Sequence, residues 1–146
     1  MDPYQVSNMT SAAFNLTEYP ECAAGIKEGL EMVMNTTDYT KLTDNFNTCY
    51  PIDSKAEVQD LYDRLEFSLR GLAMFNYPNE SDFNVYLPPE PIKHFCMVFD
   101  SSKGTSFYKL AHGAIMFRQR DYEKGNYGCT DNAPKITSAW DALACN

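Results

Sequence analysis

Several common features are missing from this sequence, and each absence narrows its class. Basic residues are scarce: 12 Lys+Arg stand against 20 Asp+Glu, for a formal net charge of −8. Nucleic-acid binding needs clustered cations to displace counterions, so that class is excluded as a partner. An anionic membrane surface is disfavoured on the same ground. No apolar run approaches the ~20 residues of a membrane span, so none is expected. There is no Cys-x-x-Cys and no His-Glu-x-x-His, and only two histidines occur in all. Neither a structural nor a catalytic metal is therefore expected. A Gly-x-Ser-x-Gly elbow and a glycine-rich phosphate loop are also missing, so no nucleophile or nucleotide site is marked and no cofactor is implied. Internal repeats and low-complexity tracts are lacking as well.

What is present suits one domain, or one lobe of a larger protein. The chain has 146 residues, of which 44% are hydrophobic and 22% charged. That composition supports a packed core. Five cysteines, Cys22, Cys49, Cys96, Cys129 and Cys145, are widely spaced, with 26, 46, 32 and 15 residues between them. Wide spacing suits disulfides across packed elements, although five buried free thiols would leave the same pattern. Four triplets match the N-glycosylation acceptor pattern, at Asn8, Asn15, Asn35 and Asn79. Random order would give about 1.4. Cysteines and acceptors together point to a secreted or lysosomal context. Two features conflict with that placement. Met1–Gln5 has neither a basic nor an apolar stretch, so no signal peptide is read there. The cysteine count is odd, which leaves one thiol over. Both are expected if the chain is an internal piece of a longer secreted protein.

Helical periodicity is the main structural signal. From Ser54 to about Met74, Val58, Leu61, Tyr62, Leu65, Leu69, Leu72 and Ala73 share one face. Ser54 and Glu57 read as a capping box. Asp60/Arg64 and Glu66/Arg70 are spaced to pair along the polar side. A second helix, Glu21 to Met34, places Cys22, Ile26, Leu30 and Val33 on one stripe. A third follows Leu87-Pro88-Pro89-Glu90-Pro91, with Ile92, Phe95, Cys96 and Phe99 inside. Thr105 caps a fourth, reaching about Arg118, with Phe107, Leu110, Ala111, Ala114 and Phe117 inside. Shorter helices are expected at Tyr39–Asn45 and Ile136–Ala144. Phe83–Tyr86 is the best strand candidate, but prolines crowd it. The expected fold is all-α, a five- to six-helix disulfide-linked bundle.

Chemistry is harder to find. His94 and His112 lack an evident nucleophile to activate, so they read as solvated or hydrogen-bonded. Asp53, Asp60, Asp63, Asp82, Glu90, Asp100, Asp121 and Asp131 read as caps and solvated faces. The aromatics fall at core spacings and read as packing. No catalytic residue emerges from these patterns.

A resemblance adds to this reading. Leu72-Ala73-Met74-Phe75-Asn76-Tyr77-Pro78, Ser81-Asp82-Phe83 and Leu87-Pro88-Pro89-Glu90-Pro91-Ile92 follow one another at fixed spacing. They resemble the LAM-x-x-YP … S-x-F … LP-x-x-P-[IV] stretch of the prolylcarboxypeptidase / dipeptidyl peptidase II family of serine exopeptidases. Trp140, Cys145 and Asn146 are similar to that family's W-x-[YFW]-Q-x-C-[TN]-E motif, although Ala142 and Leu143 depart from it. Pro20-Glu21-Cys22 and Thr48-Cys49-Tyr50-Pro51 also resemble family cysteine neighbourhoods.

The family is an α/β-hydrolase with a helical, disulfide-linked lobe inserted as a lid. The likeness implies that residues 19–146 are that lobe, cut short at its C-terminus, with residues 1–18 a weakly recognisable N-terminal segment. It implies the pairs Cys22–Cys96 and Cys49–Cys129, leaving Cys145 to a cysteine further along. The family's Ser lies before this region, and its Asp and His after it, so no residue here carries the triad. The implied role is a lid that shapes access of short peptides to a missing hydrolase half in a Pro-Xaa carboxypeptidase or dipeptidyl peptidase. The isolated chain would be inactive. The alternatives are a small secreted helical ligand-binding module, or an inactive relative that acts as a protein partner.

Overall fold

The computed structural model describes residues 12–74, 76, 81–83, 85–118, 120–121 and 126–132. Within them lie five α-helices: α1 (Cys22–Asn35), α2 (Tyr39–Phe46), α3 (Lys55–Met74), α4 (Pro91–Ser101) and α5 (Ser106–Gly113). A 3-10 turn, Ala114–Phe117, continues α5. The protein is therefore mostly helical, as the apolar periodicity requires. The helix expected at Ile136–Ala144 lies outside the described residues.

The buried stripes are largely those expected from spacing. Val58, Leu61, Leu65, Leu69 and Leu72 of α3 are buried. So are Ile92, Phe95, Cys96 and Phe99 of α4, and Phe107, Leu110 and Ala111 of α5. On α1, Gly29 is buried where the apolar stripe pointed to Leu30, which is half-buried. The reason is helix approach. α1 packs chiefly on α5. A Cβ on Gly29 would lie 2.8 Å from the Ser106 backbone oxygen. Phe14, ahead of the first helical stripe, joins the core, meeting Phe95 edge-on with ring centroids 5.9 Å apart.

Two disulfides cross the bundle. Cys22–Cys96 joins α1 to α4 inside the core, and Cys49–Cys129 joins the loop after α2 to the segment after the 3-10 turn. Each closes a loop of 74 or 80 residues. On the chain-entropy model such a loop is worth about 4 kcal/mol.

The all-α, disulfide-linked class holds with one addition, and three finer expectations need correction. Beside the helices lie two small antiparallel pairs, β1 (Ser81–Phe83) with β2 (Val85–Leu87), and β3 (Arg120–Asp121) with β4 (Asn126–Tyr127). Pro88 and Pro89 do not prevent the first, because they fall beyond the last paired residue. The fourth expected helix stops at Gly113 instead of Arg118. There the backbone presses on Phe95, with a Cβ on Gly113 only 2.6 Å from the ring, and the chain tightens into 3-10 geometry. Glu57 does reach back over the start of α3, but it accepts from the Asp53 backbone N–H (3.3 Å) and the Ser54 hydroxyl (3.0 Å). The Ser54 backbone N–H expected of a capping box is not its partner among the described residues. Arg64 pairs with Asp131 (3.6 Å) instead of Asp60. The tertiary partner arrives because Cys129 is tied down nearby.

The stretch that carries the family resemblance has its own local logic. Asn76 Oδ1 accepts the Ile92 backbone N–H at 3.2 Å. Pro91 has no N–H to satisfy, so Asn76 serves one of the first open donors of α4.

Candidate functional site

Among the described residues, the most elaborate polar structure surrounds the C-terminal end of α2. Asn47 ends that helix in the left-handed region (φ 46°), and its N–H bonds back to Thr43. A helix end leaves carbonyls without partners. The Phe46 carbonyl is served by the Thr130 hydroxyl and by Arg118 Nη2, the latter at 3.1 Å. Arg118 Nε also donates to Thr130 Oγ1 (3.4 Å). The Thr130 N–H donates to the Asn47 carbonyl (2.8 Å), and the Cys49 N–H to the Thr130 carbonyl (2.9 Å). Asn132 then clasps one residue from both sides. Its Oδ1 accepts the Tyr50 N–H and its Nδ2 donates to the Tyr50 carbonyl, both at 2.9 Å. Thr130 and Asn132 are each 3% exposed. Side chain, backbone and disulfide together clamp residues 47–50 to 129–132.

Beside this clamp lies a pocket of about 250 Å³, lined by Asn45, Tyr108, Ala111, His112, Ile115 and Arg118. α2 supplies Asn45, α5 supplies Tyr108, Ala111 and His112, and the 3-10 turn supplies Ile115. Burial lowers the Arg118 pKa below its ordinary value, because a half-buried guanidinium loses hydration. Lys41, one helical turn before Asn45, holds its Nζ 4.8 Å from the Phe107 ring centre and 5.2 Å from that of Tyr108. None of the described lining residues is a carboxylate. A local excess of cations on an acidic chain favours anions.

The residues singled out from sequence fall in several places. His112 lines the pocket. His94 is half-buried on α4. Asp53, Glu90, Asp100 and Asp131 are exposed, whereas Asp60 and Asp63 are half-exposed on α3. Asp63 accepts a hydrogen bond from Gln59 Nε2 (2.9 Å) and Asp131 meets Arg64. Among the described residues no group of three or more His, Cys, Asp or Glu could hold a metal ion. The acceptor asparagines Asn15 and Asn35 are exposed. Asn8, Asn79, Cys145 and the side chains of Asp82 and Asp121 lie outside what is described.

The residues that sequence reasoning missed are Arg118, Thr130 and Asn132, with Asn45 and Tyr108. They have no periodicity and no motif. Only the nearness of Thr130 and Asn132 to Cys129, once bonded to Cys49, could have drawn attention to them. No family model matches the sequence. Among the described residues no helix is long and apolar enough to cross a membrane.

Proposed function

We propose that this chain is the helical lid lobe of a serine exopeptidase resembling the prolylcarboxypeptidase / dipeptidyl peptidase II family. Its role is to shape the access of short peptides to a hydrolase half that carries the Ser, Asp and His. The observation that supports this reading is the disulfide framework. Cys22–Cys96 and Cys49–Cys129 lace a helical bundle in the pairing the family resemblance implies. The Leu72–Cys96 stretch adds to it, since Asn76 and Pro91 there build the start of α4 together. Disulfides are compatible with an extracellular or lysosomal place of work. Asn15 and Asn35 are exposed as glycan acceptors would have to be.

In this role the lobe does no bond chemistry. It excludes water and selects by size, while acyl transfer proceeds in the other half. The test is the transcript on either side of the coding segment. A Gly-x-Ser-x-Gly upstream and an Asp followed by a His downstream are the expected result. A transcript with neither overturns the proposal.

A further inference from the structure

We propose that the pocket between α2 and α5 binds a small organic carboxylate, one that joins a single negative charge to an aryl or branched apolar group. The inference does not depend on the hydrolase reading.

Arg118 supplies the charge recognition. Two of its nitrogens are already used, Nη2 on the Phe46 carbonyl and Nε on Thr130 Oγ1. These bonds fix the guanidinium plane. Among the described residues Nη1 has no hydrogen-bond partner. A pre-oriented, partly desolvated guanidinium binds a carboxylate oxygen better than a free one, since less freedom is lost on binding. Asn45 contributes an amide whose Nδ2 is held by the Lys41 carbonyl (2.8 Å), which orients it. Lys41 adds positive charge nearby.

The walls decide what accompanies the charge. Ala111 and Ile115 are apolar, and Tyr108 offers a ring face that Lys41 already flanks. Ile115 and Tyr108 are among the exposed large hydrophobics, at 36% and 38%. An apolar group seated there would cover surface that the fold leaves in water. The N–H groups that Arg118 has left, set beside apolar walls, fit a carboxylate that carries an apolar group. A phosphate or sulfate dianion, hydrated on every side, would gain nothing from those walls.

The experiment is an amide-resolved NMR titration of the intact chain with benzoate at neutral pH, with benzyl alcohol and sulfate as comparison arms. Benzoate is expected to give saturable shifts centred on Tyr108, His112, Ile115 and Arg118. Benzyl alcohol, with the same ring and no charge, is expected to bind at least about tenfold more weakly, the effect of losing one charge-assisted hydrogen bond. Equal binding of benzyl alcohol overturns the proposal, as do shifts that never saturate. Sulfate binding as well as benzoate would reduce the site to a bare cation cluster and overturn it too. Arg118→Gln should abolish the benzoate shifts. Because Arg118 also supports the end of α2, Ile115→Glu serves as the second variant. It sits on the exposed rim and sets a negative charge beside the ligand, so weaker benzoate binding with an unchanged circular dichroism spectrum is expected. Undiminished binding in Ile115→Glu also overturns the proposal.

Discussion

Gly113 and Asn132 show how much single residues decide here. At Gly113 the Phe95 ring occupies the space a methyl would need, at 2.6 Å from an ideal Cβ. Gly113→Ala should cost about 1–3 kcal/mol, the usual penalty for overpacking. Urea denaturation checks it, and a midpoint equal to the parent's would refute the close contact. Asn132→Ala removes both bonds to Tyr50 and leaves a part-buried backbone N–H and carbonyl to find water. A loss of about 1–3 kcal/mol is expected by the same measurement. Tyr62 provides a pH signature. Burial, then the charges of Glu66, Asp63 and Glu31, raise its phenol above the ordinary 10.0. Between the unfolded value and the raised folded one, the folded chain holds a proton that the unfolded chain has released. Stability therefore falls as pH rises through that interval, and is undiminished below it. Tyr62→Phe should make the alkaline limb of the stability curve shallower. Its absorbance titration should also lack a late-ionising phenol.

At the scale of elements, the two disulfides differ in their surroundings. Cys22 and Cys96 are 2% and 0% exposed, pinned between α1 and α4. Cys49 and Cys129 are both exposed. A thiolate must reach the sulfur it attacks, so access sets the order of reduction. A mild reductant should open Cys49–Cys129 first, with Cys22–Cys96 resisting until the bundle unfolds. Differential alkylation and peptide mass spectrometry would read this directly, and simultaneous loss of both bonds would contradict it. Opening Cys49–Cys129 frees one tether of the clamp, but the Thr130 and Asn132 bonds remain. The helices should survive with a lower unfolding temperature. The helices themselves were legible in the sequence, since the stripes of α3, α4 and α5 are simple period-3.6 patterns. Their ends were less so. α5 stops where Phe95 meets Gly113, and the Glu57 cap is re-partnered by the preceding residue. The first depends on what packs nearby, whereas the second is a local choice between the backbone donors that Glu57 can reach. The β1–β2 pair was legible in part at Phe83–Tyr86, where crowding prolines argue against a strand, but Pro88 and Pro89 fall just beyond the pairing.

For the whole molecule, the candidate site was almost illegible. Arg118, Thr130 and Asn132 stand 72 to 84 positions from the backbone atoms they serve. No window along the chain sees such a pair. His112 was noticed only as a histidine, and its place on the pocket wall follows from the packing of α2 on α5. The lid-lobe reading has a direct consequence at this scale. The purified chain is expected to leave Pro-containing chromogenic peptides uncut. Turnover that survives removal of contaminating peptidases would sink that reading.

The sequence by itself determined the helical class and most of the buried faces, because burial follows a short-range periodicity that each helix carries alone. Its scarcity of cations and of long apolar runs also limited the classes of partner from the start. Tertiary structure decided which cysteines bond, where α5 ends, and which side chains line the pocket with Arg118. Those outcomes depend on distances between segments far apart in the chain, and composition and spacing do not encode them. The few cations thus gained a meaning that composition had not given them. Arg118 lines one pocket, and Lys41 flanks the Tyr108 ring on its wall.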